Sequence, residues 1–247
     1  MNAHLHLVFS RPPEGLPDAE YERWYAAHLD EILSVPGWAA AQRYRLDREA
    51  AGERALPYRY LSLYELDRPP DEAVAALERA GLGSADSYEE LKADDEGRLP
   101  LPAWFGDVVF ASWNATAIGE PDLAPAADDV AGGGPPSVWL VFSGPPDGVA
   151  REDYDTWYDG HTAENIESPG FLDARRYAVE PVVTADDMGP HQRLALYHYA
   201  GDGVSLRTHL LGRVDSGEIV LPAFFPEIRF GVWMGSPIGD RAEAPVS

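Results

Sequence analysis

Two residue types that carry much protein chemistry are missing or nearly missing from this chain. None of its 247 residues is cysteine, which excludes disulfides, thiolate nucleophiles, iron–sulfur clusters and cysteine-ligated zinc. Lys92 is the single lysine, so Schiff-base chemistry and a phosphate-binding P-loop are strongly disfavoured. The sequence also lacks Gly-x-Gly-x-x-Gly and Gly-x-Ser-x-Gly, so nucleotide-binding and serine-hydrolase functions have no motif support.

Positive charge and long apolar runs are scarce as well. The chain has 19 Lys and Arg against 42 Asp and Glu, a formal net charge of −23. Because nucleic-acid phosphates and anionic lipids would repel such a surface, we expect neither nucleic acid nor membrane as a partner. No apolar run approaches a membrane span and no signal-peptide pattern is visible, so we expect a cytoplasmic protein.

The most informative feature present is an internal repeat, which runs without gaps over the larger part of each copy. Leu7–Ser10 returns as Leu140–Ser143, and Tyr21–Glu31 returns as Tyr154–Glu164, a spacing of 133 residues. The spacing falls to 120 near the end of each copy, where Trp113 matches Trp233. We therefore expect an extra segment in the first copy, within Gly81–Gly97. Such self-similarity indicates a duplicated structural unit.

Each copy reads as β-α-β-β-α-β, the order of a ferredoxin-like unit. The first copy has predicted strands at 4–10, 38–48, 57–66 and 103–114, with helices at 18–34 and 71–80. The second has strands at 137–143, 171–182, 192–200 and 223–233, with helices at 151–167 and 203–213. Asp18 is the expected N-cap of the first helix, and Pro36-Gly37 stops it.

The predicted organisation is therefore a first repeat at 1–118, a linker at 119–136, a second repeat at 137–234 and a loose tail at 235–247. The linker assignment depends on its richness in Gly, Pro, Ala and Asp. A ferredoxin-like sheet has helices on one face only, so its other face must be covered. Two such sheets can cover each other, which predicts an α+β fold closed into a barrel.

The repeated blocks resemble the dimeric α+β barrel superfamily, most nearly its EthD-like branch. The likeness is carried by Trp24-Tyr25-x-x-His28-Leu-x-Glu31, Pro36-Gly37-Trp38 and Arg43-Tyr44, and by the matching run from Trp157 to Tyr177. It covers nearly the whole chain and implies an intrachain dimeric α+β barrel with a pocket between helices and sheet. It implies further homodimerisation as a common feature, but no single reaction, because the superfamily includes cofactor-free cyclases, isomerases, monooxygenases and haem enzymes.

The repeated helix carries the candidate catalytic residues. Residues three, four and seven apart share one helical face, which predicts two matching stripes: Tyr21, Trp24, Tyr25, His28 and Glu31, and Tyr154, Trp157, Tyr158, His161 and Glu164. A stripe that faces the sheet buries its histidine among aromatic rings. Such a histidine can transfer a proton, oriented by the following glutamate, while the rings bind a flat substrate. Alternatively, each histidine bonds a strand carbonyl and the stripe is core packing.

Further candidate substrate-binding residues come from the strands. Arg43 and Arg176 stand beside Tyr44 and Tyr177, and neighbouring residues on a strand point to opposite faces of the sheet. His6 and His198 occupy positions where the copies differ, since Trp139 replaces His6 and Glu65 replaces His198. We therefore expect two pockets that are not equivalent.

A metal or haem has weak support. His-x-x-Glu supplies two ligands on one helical face, but a metal site needs three or more, and His4 with His6 is the nearest addition. An axial histidine is available for haem, yet nothing marks a porphyrin slot. We therefore expect no metal and no cofactor.

The sequence thus predicts a cofactor-independent cyclase, isomerase or lyase that uses His28 and His161 on an aromatic or polyketide-like molecule. The alternatives are a non-catalytic binding or accessory protein of a degradation pathway and a cofactor-free monooxygenase. An enclosed pocket that reaches either histidine would favour the enzyme.

Overall fold

In the residues that the structure describes, each half of the chain contains four long strands and two helices. The computed structural model describes residues 2–47, 58–82, 101–125, 134–183 and 191–245. The first half contains β1 (His4–Arg11), α1 (Asp18–Leu33), β2 (Trp38–Leu46), β3 (Tyr60–Leu66), α2 (Pro70–Arg79) and β4 (Val109–Ala117). Then follow β5 (Asp122–Leu123), β6 (Ser137–Ser143), α3 (Arg151–Ile166), β7 (Phe171–Val183), β8 (Arg193–Tyr199), α4 (Gly203–Asp215) and β9 (Gly231–Glu243).

Eight of the described strands form one closed antiparallel barrel. Their order is β4-β1-β3-β2-β9-β6-β8-β7, and β7 pairs back with β4. The halves meet at two ladders: β2 with β9, where Leu46 faces Gly235, and β4 with β7, where Ala117 faces Tyr177. Closure leaves none of these eight strands with an unpaired edge. The predicted α+β barrel is therefore confirmed.

Side chains alternate between the barrel interior and two outer layers. The interior is packed with large buried residues from both halves, among them Leu7, Phe9, Trp113, Leu140, Phe142 and Trp233. A second cluster lies between the first four strands and the first two helices, and a third lies between the second set of strands and α3 and α4. Each sheet half is thus buried on both faces, as its apolar strands require.

The first helix of each half is fixed to its sheet by the same buried bond. Tyr21 donates its hydroxyl hydrogen to Ser10 Oγ at 2.6 Å, and Tyr154 does so to Ser143 Oγ at 2.6 Å. Both tyrosines belong to the repeated stripe and are fully buried. The stripe therefore faces the sheet in both halves.

Several predicted boundaries are wrong. Asp18 is the first residue of α1 and not its cap, because Pro17 occupies the cap position and supplies no side-chain bond. The closing strands begin late, at Val109 and Gly231, because one-turn 3-10 helices at Phe105–Asp107 and Phe225–Glu227 precede them.

The predicted loose tail is also wrong over most of its length. Residues 235–243 continue β9, and their pairing with β2 reaches Ala40, which faces Glu243. The cause is the otherwise unpaired edge of β2, which needs hydrogen-bond partners. Within the predicted linker, Asp122–Leu123 pair with β7. The extra segment predicted within Gly81–Gly97 lies outside the described residues from position 83 onward.

Candidate functional site

The two repeated histidines form matching stacks on tryptophan. His28 lies on Trp24 with ring centroids 4.9 Å apart and an interplanar angle of 16°, and His161 lies on Trp157 at 5.0 Å and 22°. Only 7% of His28 is exposed. The side chain of His161 is 12% exposed. Both histidines therefore lie at least partly buried among aromatic rings, as the sequence predicts.

The glutamates approach these histidines unequally. His28 Nδ1 lies 3.2 Å from Glu31 Oε2, within hydrogen-bond range, whereas His161 Nδ1 lies 3.9 Å from Glu164 Oε2. Within the part of the chain that the structure describes, His161 Nδ1 has no hydrogen-bond partner. Burial lowers the pKa of His161 to about 4, so this imidazole is neutral at neutral pH.

The two strand arginines point toward the helices and differ in their partners. Arg176 binds Asp155 Oδ1 at 2.6 Å and Asp159 Oδ1 at 2.5 Å. Arg43 instead lies 4.4 Å from the ring centroid of Tyr25, and its Nη1 donates to the Glu22 carbonyl at 3.4 Å. Its Nε and Nη2 lack hydrogen-bond partners among the described residues. The halves are therefore electrostatically different at this point.

His6 is enclosed in the first helix–sheet layer. Its ring contacts Trp38 at 5.3 Å and Tyr64 at 6.2 Å, and its Nδ1 lies 2.7 Å from Asn114 Oδ1. Burial lowers the pKa of His6 despite the opposing hydrogen bond. The ring is thus a neutral, partnered core residue.

A cavity of about 450 Å³ lies at the end of the barrel where β1 and β6 begin. Its apolar surface comes from inward-facing residues of both halves: Leu5, Tyr44, Leu63, Tyr177 and Leu196. Polar side chains also line it: Asn2, Gln42, Glu65, His198, Asp240 and Arg241. Its size and its apolar lining with a few polar groups are typical of small-molecule sites.

The cavity contains paired positions of the repeat. Tyr44 matches Tyr177 and Leu63 matches Leu196, so these residues line it from opposite halves. The third pair is asymmetric, because Glu65 matches His198. Two equivalent strands thus place an acid and an imidazole in one cavity.

His198 is held by a carboxylate from the neighbouring strand. Its Nδ1 lies 2.8 Å from Asp173 Oδ1, and the two residues face each other across the β7–β8 ladder. A carboxylate can only accept a hydrogen bond, so Nδ1 carries the hydrogen and Nε2 of the neutral ring is left as a proton acceptor. This is the arrangement of an oriented general base.

Glu65 is also fixed in position. It accepts hydrogen bonds from Asn2 Nδ2 at 2.6 Å and from Arg241 Nε at 3.0 Å. Tyr177 donates to the Asn2 carbonyl at 3.0 Å. Burial raises the pKa of both Tyr44 and Tyr177, and the nearby carboxylates Glu65 and Asp173 raise it further. Both phenols therefore stay protonated.

The sequence prediction and the cavity overlap in part. Of the predicted site residues, Tyr44, Tyr177 and His198 line this cavity, whereas His28 and His161 do not. The sequence indicates Glu65 only as the counterpart of His198, and it does not indicate Asp173, because the role of Asp173 depends on the register of β7 with β8. It does not indicate Arg241 either, because Arg241 belongs to the segment predicted to be loose.

A second cavity of about 320 Å³ lies toward the opposite end of the barrel. It is lined by Asp147, His191, Glu227 and Arg229, together with the Gly144–Pro146 turn. Burial lowers the pKa of His191. The repeated histidines do not line this cavity either.

The described residues contain no group of three or more histidine, aspartate or glutamate side chains that could hold a metal ion. In the same residues, no helix has the length and hydrophobicity needed to cross a bilayer.

Solved structures share the barrel. A proposed monooxygenase of Fusobacterium nucleatum subsp. nucleatum matches with a TM-score of 0.51 and 8% identity over 98% of this chain and 95% of its own. The chlorite dismutase of Candidatus Nitrospira defluvii, in complex with imidazole, matches with a TM-score of 0.52 and 8% identity over 95% and 91%. No protein-family model and no curated protein sequence matches the chain. These likenesses show that the chain shares the fold of these two proteins.

Proposed function

We propose that this protein is an enzyme that binds a small aromatic molecule in the barrel-end cavity and moves a proton with His198. The observation that carries the proposal is the His198–Asp173 pair, 2.8 Å apart, with His198 lining a cavity of about 450 Å³. Asp173 orients the imidazole, and Nε2 accepts a proton from an acidic C–H or O–H bond of the bound molecule. The protonated imidazole then returns the proton to another atom of the same molecule, which completes an isomerisation, cyclisation or elimination.

The binding part of the proposal rests on the cavity surface. Tyr44 and Tyr177 present buried aromatic rings from opposite halves, and leucines complete the apolar surface. Such walls suit a flat ring system, which can stack on the tyrosine rings. Proton transfer between such groups requires no cofactor.

The second candidate assigns the chemistry to His28 and His161. Both are stacked on tryptophan, and His28 is within hydrogen-bond range of Glu31. These contacts suit either an oriented base or a packed core residue. The aromatic stripe would then bind the substrate between helix and sheet, with Tyr21, Tyr25, Tyr154 and Tyr158 as its walls.

Two other functional classes remain as proposals. A non-catalytic binding or accessory protein would use the same cavity without proton transfer. A cofactor-free monooxygenase would be in keeping with the fold shared with the Fusobacterium protein. The first predicts binding without turnover, and the second predicts oxygen consumption, so an oxygen electrode separates them.

The organisation of the chain supports a related proposal. We infer that two tandem ferredoxin-like repeats, at 1–118 and 137–234, arose by duplication and build the barrel as an intrachain pseudo-dimer, with β9 extending the second repeat to Glu243. The equal element order and the matching Tyr21–Ser10 and Tyr154–Ser143 bonds support it. We also propose membership of the EthD-like branch, a cytoplasmic location and further homodimerisation.

The test uses nitrobenzisoxazole, a flat aromatic compound that opens to a coloured phenolate when a base removes its C–H proton. We expect turnover by the wild type and a loss of about 100-fold or more in His198→Ala, the scale of general-base catalysis. Asp173→Asn should lower the rate while binding persists in equilibrium dialysis. If His28→Ala and His161→Ala abolish turnover and His198→Ala does not, the second candidate is correct.

A further inference from the structure

The two matching tyrosines of the barrel-end cavity differ in what their hydroxyl groups contact. Tyr177 donates its hydroxyl hydrogen to the Asn2 carbonyl at 3.0 Å. The hydroxyl of Tyr44 makes no hydrogen bond within the described ranges of the chain, although Tyr44 lines the same cavity. Its oxygen is also not one of the fully enclosed polar atoms that lack a partner. The Tyr44 hydroxyl therefore keeps accessible surface that a bound molecule can contact.

The charges that act on the Tyr44 hydroxyl lie around the polar part of the cavity. They belong to Glu65 and Arg241, which line the cavity, and to Asp173, which is bonded to His198. Burial raises the pKa of Tyr44, and the two carboxylates raise it further. The hydroxyl therefore keeps its hydrogen and can donate it in a hydrogen bond close to the proposed base His198.

Tyr44 differs from the other side-chain donors of the described cavity lining, because each of those already contacts an acceptor of the protein. They are Asn2, Gln42, Tyr177, His198 and Arg241. Asn2 and Arg241, for example, both donate to the carboxylate of Glu65. A bound molecule with a hydrogen-bond acceptor therefore finds a donor without a protein partner at Tyr44.

A base in this cavity needs such a donor nearby. When His198 Nε2 removes a proton from carbon, the electron pair of the C–H bond stays on the bound molecule. A neighbouring carbonyl group takes up that charge as an enolate oxygen, which the carboxylates of Glu65 and Asp173 destabilise. A hydroxyl that donates to the developing oxyanion offsets this effect and stabilises the transition state more than the ground state.

We propose that Tyr44 is a second catalytic residue and that the substrate is an aromatic compound with a ketone and an acidic C–H bond beside it. This inference rests on the proposed function of the same cavity, with His198 as the base. His198 Nε2 takes the proton, the C–H electron pair forms the C=C bond of the enolate, and the carbonyl π electrons move to the oxygen that Tyr44 contacts. The imidazolium then returns a proton to a carbon of the enolate, which restores the carbonyl group and the neutral imidazole.

The test follows the exchange of hydrogen for deuterium in 2-tetralone, a benzo-fused ketone with acidic C–H bonds. In heavy water the imidazolium exchanges its hydrogen with the solvent, so each removal and return of a proton introduces deuterium, which proton NMR measures. We expect the wild type to catalyse this exchange. Tyr44→Phe keeps the ring and loses the hydroxyl, and it should lower the catalysed rate by about 100-fold, the scale of one oxyanion donor. Equilibrium dialysis should show that Tyr44→Phe still binds 2-tetralone.

The matched control is Tyr199→Phe, because Tyr199 is a buried tyrosine that does not line the cavity. Its exchange rate should equal that of the wild type. If His198→Ala slows the exchange and Tyr44→Phe does not, the inference about Tyr44 is wrong and His198 remains the base. If the wild type opens nitrobenzisoxazole but does not exchange 2-tetralone, the ketone class is wrong. If neither compound reacts, the proposed function and this inference both fail.

A measurement on the wild type decides the role of Tyr44 even if Tyr44→Phe does not fold, which thermal unfolding would report. It records the infrared C=O band of bound 2-tetralone labelled with carbon-13 at the carbonyl. The band should lie at lower frequency than in hexane, because a donated hydrogen bond weakens the C=O bond. A band at the same frequency as in hexane would show that no hydroxyl donates to the carbonyl, and it would overturn the role of Tyr44.

Discussion

The histidines of this chain have environments that suit different roles. His198 has a carboxylate partner at 2.8 Å and lines a cavity, so its proton position is defined. His161 is largely buried, its Nδ1 has no hydrogen-bond partner in the described structure, and burial lowers its pKa to about 4. His161 stays neutral because charging it would require desolvating an imidazolium.

The first prediction concerns the pH dependence of stability at His161. Its pKa is lowered from 6.5 to about 4 in the folded state. Below pH 6.5 His161 becomes protonated in the unfolded chain but stays neutral in the folded protein. The free energy of unfolding therefore falls as the pH is lowered from 6.5 to 4. His161→Phe keeps an aromatic ring and should reduce this loss by on the order of 3 kcal/mol. Urea unfolding at several pH values measures it.

The control for this prediction is His209→Gln, which removes an exposed histidine from α4. Its stability profile should follow the wild type. A His161→Phe protein that loses as much stability as the wild type between pH 6.5 and pH 4 would contradict the account of His161 as a buried neutral group.

At the scale of single elements, α1 and α3 make different contacts with the matching strand arginines Arg43 and Arg176. Asp159 on α3 gives Arg176 a carboxylate, although the acid side chain itself is 67% exposed. The matching residue on α1 is Ala26, and Arg43 is left with two nitrogens that lack partners in the described part of the chain. Stacking of Arg43 on Tyr25 offsets only part of the loss of solvation.

The second prediction follows from this difference between the helices. Ala26 is exposed on α1, so Ala26→Asp can place a carboxylate near Arg43 as Asp159 does for Arg176. We expect the free energy of unfolding to rise by about 0.5–1 kcal/mol, the upper range for a partly solvated ion pair. Urea unfolding measures the change. Ala26→Asn has the same shape without the charge, and an equal effect of both variants would exclude the ion pair as the cause.

On the scale of the whole molecule, the halves share one sheet and one interior. The β2–β9 and β4–β7 ladders join them, and Phe9 of the first half packs on Phe142 and Trp233 of the second. Neither half can keep its inner face buried without the other. The unit of folding is therefore expected to be the barrel, and the repeat by itself is not expected to be stable.

The third prediction tests this unity with a protease site in place of residues 126–133, inside the predicted linker. After cleavage the two fragments should remain associated, because the interstrand ladders and the shared interior are intact. Calorimetry should show one transition before and after cleavage, and after cleavage its temperature should depend on protein concentration. The control is the same protein, with the protease site in place of residues 126–133, before cleavage. Separation of the fragments, or two independent transitions, would show that each repeat folds alone.

The sequence by itself determined the order of the elements and the facing of the repeated stripe. Strand alternation, helix periodicity and turn residues act over a few positions, so Tyr21 and Tyr154 could be assigned to the sheet side before any contact was known. The repeat also predicted the barrel, because a ferredoxin-like sheet has helices on one face only and a second sheet can cover the other face. The predicted ends of the strands were less accurate. The end of β9, for example, depends on its pairing with β2.

Only the tertiary structure decided where the cavity lies and which groups meet in it. Asp173 faces His198 through the register of β7 with β8, and Arg241 reaches Glu65 through the pairing of β9 with β2. The amide nitrogen of Gln42 likewise donates to carbonyls almost 200 positions away, at Ile238 and Gly239. Such contacts depend on which distant strands pair and in what register, and neither periodicity nor spacing along one strand contains that information.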